Sequence, residues 1–256
     1  MKNIFLFGLL LCLTQFVFAQ SYTAKFSNDS GEKRIRLIKA KGAISISAYD
    51  GFEVISMTED YKAPPERAKG LRPLYNNAID NTGIGLEIKE SGNLMTIKVA
   101  SNRRMDYELK IPQNAHIYVE EIGWNGKGIN IKDVAGEIEV EGKGSSIQIV
   151  NAKGPIVANT VNGSIKVIYA SVRENQPNSI SCTNGFIDVT IPSNTKADLK
   201  MKSINGEAYS DFDITMEDNK DGYDVNGCNL AGTINGGGVE IFLRTINSNI
   251  YLRKGE

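Results

Sequence analysis

The chain has 256 residues with 29 basic and 30 acidic side chains, and with a net charge of −1 nothing in its composition attracts nucleic acid or an acidic membrane surface. Three cysteines exclude a small disulfide-stapled module, and the length suits one all-β domain with a sizeable core.

Residues 1–19 read as a signal peptide: Lys2 precedes the apolar run Ile4 to Leu13, and Val17-Phe18-Ala19 offers a small residue for cleavage near Ala19–Gln20. That run is shorter than the ~20 residues a spanning helix needs, and no later stretch approaches that length, so a transmembrane segment is not expected. Cys12 follows the bulky Leu11, which does not fit a lipoprotein signal. Removing residues 1–19 leaves 28 basic against 30 acidic groups and two cysteines, Cys182 and Cys228.

From residue 20 onward, two-residue alternation dominates and helical periodicity is almost absent. Gly42 precedes Ile44-Ser45-Ile46, Gly128 precedes Ile129-Asn130-Ile131, Gly136 precedes Ile138-Glu139-Val140, and Gly144 precedes Ile147-Gln148-Ile149. Asn162-Gly163 opens Ile165-Lys166-Val167, and Asn184-Gly185 opens Ile187 to Ile191. The unit is a glycine corner followed by a short strand with one apolar face. Asn162, Asn184, Asn205 and Asn226 recur at near-constant spacing. A fixed period of that size marks a coil, so the expected fold is a single-domain, all-β solenoid with about 20–22 residues per turn. Its most regular repeats span 106–254, behind an irregular N-terminal β region. The expected corners are Asn162-Gly163, Asn184-Gly185, Asn205-Gly206, Asn235-Gly236 and Asn247, with positive φ as the reason for Asn and Gly and with stacked amides bonding along the axis. Ordinary hairpin turns in a sandwich are the competing reading of each Asn-Gly.

Two stretches leave the repeat. Residues 60–83 carry three prolines and mixed charge and read as a surface loop. Residues 207–232 form a second excursion, whose acidic part runs from Asp211 to Asp224. There Glu217, Asn219, Asp221 and Gly222 mimic the start of a calcium loop, but position 12 is Cys228 and no helices flank it, so a solvated loop is the expectation and no metal is assigned. The chain ends on a doubled phrase, "TINGGGVEIFLR" and "TINSNIYLRK", two strands each entered through Asn; Gly236 to Gly238 predict a wide corner, and Arg253, Lys254 and Glu256 read as a polar cap that keeps the chain monomeric.

Chemical candidates are few. His116 is the sole histidine and reads as a surface residue with no partner for a triad or a zinc site. Glu120 and Glu121 are adjacent on a strand and point to opposite faces. Trp124, Tyr209 and Tyr251 are candidate sugar-stacking residues, with Tyr49 as a further one. No catalytic residues and no cofactor are expected. Cys182 takes the place of the Thr or Ser two residues before Asn (Thr160, Ser203, Thr233, Thr245); it is expected to stand too far from Cys228 for a disulfide.

From Asp106 onward, on "YELKIPQNAHIYVEEIGWNGKGINIKDVAGEIEVEGKGSSIQIVNAKGPIVANTVNGSIKV", "SCTNGFIDVTIPSNTKADLKMKSINGEA" and the doubled ending, the chain resembles the exported bacterial β-strand-repeat family that carries the domain of unknown function numbered 4097 and is named for adhesion by analogy. The resemblance covers about 150 residues; Ser248 departs from it where a glycine is usual. It implies a β-solenoid in the periplasm, on the cell surface or secreted, a binding role toward a glycan, envelope polymer or protein, and no catalytic residues. The rival functions are an envelope protein that assembles through solenoid ends and a polysaccharide lyase or hydrolase with clustered acids and bases in one groove.

Overall fold

The computed structural model describes residues 20–28, 30–59, 61–68, 70–71, 73–74, 77–216 and 227–255. The expected signal peptide, Asn226 and the calcium-like residues Glu217, Asn219, Asp221 and Gly222 lie outside the described residues. Among the described residues there is no α-helix; one turn of 3-10 helix occupies Glu66–Ala68.

The strands are β1 (Gln20–Ala24), β2 (Arg34–Ala40), β3 (Ile44–Tyr49), β4 (Val54–Glu59), β5 (Leu86–Ser91), β6 (Leu94–Val99), β7 (Asp106–Pro112), β8 (His116–Glu121), β9 (Ile129–Lys132), β10 (Ile138–Glu141) and β11 (Ile147–Ala152). They continue as β12 (Ile156–Thr160), β13 (Ile165–Tyr169), β14 (Asn178–Cys182), β15 (Ile187–Pro192), β16 (Ala197–Ser203), β17 (Ala208–Ser210), β18 (Thr215–Met216), β19 (Cys228–Ile234), β20 (Val239–Thr245) and β21 (Ile250–Gly255).

They form two large mixed sheets, and neither closes into a barrel. The first runs β1-β4-β7-β3-β9-β11-β13-β15-β21-β17 and the second β18-β19-β16-β20-β14-β12-β10-β8-β2-β6-β5. From β7 to β17 successive strands alternate between the sheets, and those from β8 to β15 pair in parallel with both sheet neighbours. Alternation along each strand supplies the reason: Ile147, Ile149 and Ala152 are buried while Gln148 and Asn151 are exposed.

The inward side chains therefore meet in rows. In the first sheet Ile44, Ile129, Ile147, Ile165, Ile187 and Ile250 occupy one register position, strand after strand. In the second, Leu37, Val119, Val140, Ala158, Ile180, Leu243 and Met201 do the same. All thirteen are essentially inaccessible, each fully buried Leu, Ile or Val contributing about 1.5–3 kcal/mol of transfer free energy. A neighbouring row of the second sheet, Ile117, Ile138, Ile156, Ile241 and Leu199, is interrupted by Asn178, which accepts from the Ile156 N–H at 2.9 Å and the buried Tyr169 hydroxyl at 2.8 Å, so its carbonyl oxygen stays satisfied inside the core.

The step between stacked partners is shorter from Ile129 to Ile147 and from Ile147 to Ile165 than from Ile165 to Ile187, so the period is less even than the expected one. Nor does the stack follow sequence order. The pair β20–β21 lies between β14–β15 and β16–β17, so Ile187 stands beside Ile250, from the last strand of the chain. At the other end β2–β3 lies between β6–β7 and β8–β9 in the same manner. The closing strands thus form an interior rung, which corrects the expectation that "NIYLRK" caps an end: Lys254 and Arg253 lie on a strand paired on both sides. The ends are instead finished by antiparallel strands, β4 and β1 at one end of the first sheet, and β5 and β19–β18 at the two ends of the second. The excursion over 207–232 accordingly contains β17, β18 and part of β19.

Candidate functional site

Along one corner of the stack runs a ladder of carboxamides. Asn184 Nδ2 donates to Asn162 Oδ1 at 2.8 Å, Asn247 Nδ2 to Asn184 Oδ1 at 2.7 Å, and Asn205 Nδ2 to Asn247 Oδ1 at 2.8 Å. The spatial order 162, 184, 247, 205 follows from the inserted rung. Beneath it a second file of side chains ties the same corners: the Thr160 hydroxyl donates to Ser145 O, Thr245 to Gly185 O, Ser203 to Ser248 O, and the Cys182 thiol to Gly185 O.

The reason for the corner glycines differs from the expected one. None of Asn162, Asn184, Asn205, Asn247, Gly163, Gly185 or Gly206 has positive φ. A Cβ on Gly163 would stand 2.2 Å from Ser145 O, on Gly185 2.1 Å from Gly163 O, and on Gly206 2.0 Å from Ser248 O. Glycine is required because adjacent rungs bring backbone against backbone. Asn235 is the exception among the expected corners: with φ 51 it turns the chain out of β19 and bonds Ser193 O and Thr195 O. Gly236 and Gly237, at φ 91 and 80, continue a wide crossing over the start of β16.

Glu120 and Glu121 do point to opposite faces. Glu121 is buried at the end of β8, where Oε2 accepts the N–H groups of Lys143, Gly144 and Ser145 at 2.9, 3.1 and 3.1 Å and Oε1 accepts the Ser145 hydroxyl at 2.6 Å. It is a structural clasp, absent from the sequence reading because its four donors lie on the next rung of the stack, far along the chain. Trp124 sits just past it, exposed, with Lys143 Nζ 5.8 Å from the centre of its ring.

Tyr209 and Tyr251 come together on the outer face of the first sheet, directly opposite one another on β17 and β21, rings stacked at 5.5 Å and 12°. Phe186, exposed on the next rung, meets Tyr251 edge-on at 6.3 Å. Beside them Arg253 donates to both Asp188 oxygens at 2.8 and 3.3 Å, and its guanidinium lies 5.5 Å from the Tyr251 ring. Asn249 donates to the Tyr251 hydroxyl at 3.2 Å. The Tyr209 hydroxyl donates to Glu207, whose carboxylate pushes that phenol above its ordinary range. Aromatic faces flanked by a planar ion pair and amides are the elements that receive a ring with an apolar face and hydroxyl edges. Trp124 does not join this terrace: four strand spacings, about 19 Å, separate its rung from that of Tyr251. Tyr49 is also elsewhere, its hydroxyl bonded to Glu53 O. Phe186 and Asp188 were missed in the sequence, since placing them beside Tyr251 requires knowing that residue 250 pairs with residue 187, and Arg253, two residues along the same strand, was read only as part of a cap.

On the second sheet an open groove of about 630 Å³ is lined by Arg34, Arg36, His116, Tyr118, Glu137 and Glu139. His116 is half-buried there, not on the open surface, with Nδ1 3.4 Å from Glu137 and Nε2 3.7 Å from Glu32. Arg36 lies over the Tyr118 ring at 4.8 Å, and burial together with Glu141 pushes that phenol up to about 12. No trio of His, Cys, Asp or Glu able to hold a metal occurs among the described residues. Cys182 and Cys228 are free; three strand spacings, about 14 Å, part their register positions.

One solved structure resembles the chain at a distance, that of "a putative cell adhesion protein" from Clostridium sporogenes, with 11% identity, a TM-score of 0.48, and coverage of 93% of this chain and 100% of that one. A likeness at that level carries no argument. No family model and no curated protein matches the chain. No helix among the described residues is long and apolar enough to cross a membrane.

Proposed function

We propose that the chain is an exported, non-enzymatic binding protein of the adhesin-like repeat type, built as a β-solenoid, and that it binds saccharide on the Tyr209–Tyr251–Phe186 terrace. The alternation of strands between two sheets and the carboxamide ladder support the solenoid. The stacked tyrosine pair carries the binding reading: two large rings stand together on the outer face of the sheet, and stacking on sugar is the use their geometry fits. Edge strands of only 3 and 2 residues, β17 and β18, offer little backbone for end-to-end assembly and favour a monomer over an envelope filament.

A glycan array on the purified chain, followed by calorimetric titration of any positive saccharide, tests the reading. Tyr251→Ala and Tyr209→Ala should each weaken binding about 5- to 30-fold, as expected when a stacking ring worth roughly 1–2 kcal/mol is lost. An array without signal, or binding that both variants leave intact, would remove the terrace as the site.

A further inference from the structure

The aromatic terrace is one end of a longer row. On the outer face of the first sheet Tyr209, Tyr251, Asp188, Lys166, Gln148 and Asn130 hold one register position on successive strands, from β17 through β21, β15, β13 and β11 to β9. Two residues further along each strand a second row runs beside the first, made of Arg253, Thr190, Ile168, Val150 and Lys132. Both rows cross the strands and follow the stacking direction. Five strand spacings, about 24 Å, separate Tyr209 from Asn130.

The two rows differ in chemistry. Gln148 and Lys166 are exposed and Asn130 is half-buried, and none of these three side chains has a hydrogen-bond or ion-pair partner among the described residues. Asp188 is already engaged by Arg253. The first row therefore offers a ligand two aromatic rings, then an ammonium and two carboxamides, each amide with two donors and two acceptor lone pairs. In the second row Thr190, Ile168 and Val150 are half-buried and form a low apolar shelf. A pyranose has the matching halves, C–H faces that pack on a ring or an apolar shelf and a rim of hydroxyls for the polar row. Spacing separates the polymers that could lie here. An extended peptide repeats its side chains on one face every roughly 6.6 Å and falls out of step with the rungs, whereas a stretched β-1,4-linked glycan advances by about one strand spacing per sugar.

We propose that the terrace receives one end of a stretched linear glycan whose chain lies along these rows, stacked on Tyr251 and Tyr209, with its hydroxyls bonded by Lys166, Gln148 and Asn130 and its C–H faces on Ile168 and Val150. The inference rests on the terrace being a saccharide site and adds the length and direction of the ligand. The bound segment is about six sugars long and runs along the stack from β17 toward β9.

Calorimetric titration of residues 20–256 with cello-oligosaccharides and with oligomannuronates, each from two to six sugars, tests the proposal; the second series carries carboxylates for Lys166. In at least one series the hexamer should bind at least about tenfold more tightly than the dimer, beyond the statistical gain from repeating a dimer site. Gln148→Ala combined with Lys166→Ala should remove most of that gain and leave the dimer within about twofold of the parent. The melting temperature should stay put, since both side chains stand unbonded in solvent. Tyr251→Ala should weaken dimer and hexamer alike. Hexamers bound in neither series or no more tightly than dimers, or a double variant that keeps the hexamer's advantage, would overturn the track. A dimer that binds Tyr251→Ala as tightly as the parent would instead remove the terrace, and the track with it.

Discussion

Glu121→Ala tests whether a single buried carboxylate holds the corner between β10 and β11. The side chain is 1% exposed and accepts four hydrogen bonds, three from backbone amides of residues 143–145 and one from the Ser145 hydroxyl. The pocket is tight, because a Cβ on Gly126 would stand 2.1 Å from Glu121 Oε1. Hydrogen bonds to a charged acceptor are worth about 1.5–3 kcal/mol each, and unsatisfied buried donors cost about 1–3 kcal/mol. Water reaching the exposed Lys143 side of the corner recovers part of this, so a net loss of about 3–5 kcal/mol is expected. For a domain of this size each kcal/mol shifts Tm by about 2–4 °C, giving a fall of about 10 °C in a thermal melt. Glu121→Gln keeps one acceptor oxygen for the amides but turns an NH₂ toward Ser145, and should lose about half as much. A Glu121→Ala variant that melts within about 2 °C of the parent would refute the clasp.

Gly185→Ala should destabilise by about 2–4 kcal/mol in denaturant titration, because its methyl meets the Gly163 carbonyl and neither backbone can yield without parting two rungs; a neutral result would return the corner glycines to a purely conformational role. Asp80 sets an acid limit: burial alone would raise its carboxyl, but hydrogen bonds from Tyr61, Thr82 and Gly85 outweigh burial and hold it below the ordinary value of 3.8. Its stabilisation is therefore present above that value and lost as pH falls through the lower folded one, so melts taken from about pH 5 to pH 2 should steepen in a way that Asp80→Asn flattens; parallel curves would count against it.

Much of this architecture is legible in the sequence because period-two alternation and burial are local facts. Ile147-Gln148-Ile149 announces its own strand and its own buried face. The Asn series was visible too, and its amides do bond one another from 162 to 205. What the sequence does not carry is the order of the rungs. Asn184 looks equally suited to stand next to Asn205 or Asn247, since both of these follow the same Ser/Thr-Ile-Asn pattern, and only packing selects Asn247. Everything that depended on that order was lost with it: the terrace partners of Tyr251 and the position of the closing strands. The rationale for the glycines failed for a related reason. A close approach between residues 163 and 185 is a property of two rungs, and neither dipeptide alone reveals it.

The interior position of β20–β21 has a consequence for how the protein is made. On a ribosome β14–β15 and β16–β17 emerge well before residues 239–255, yet they must not zip together, although their faces are alike enough to do so. The chain has to keep a slot one strand wide, or reopen it, until its late segment arrives. Ile187 then gains Ile250, a neighbour synthesised well after it. The far end of each sheet is thus under the timing control of the late pair β20–β21, and synthesis halted before residue 239 should leave a nascent chain whose misregistered, prematurely closed form competes with the native one.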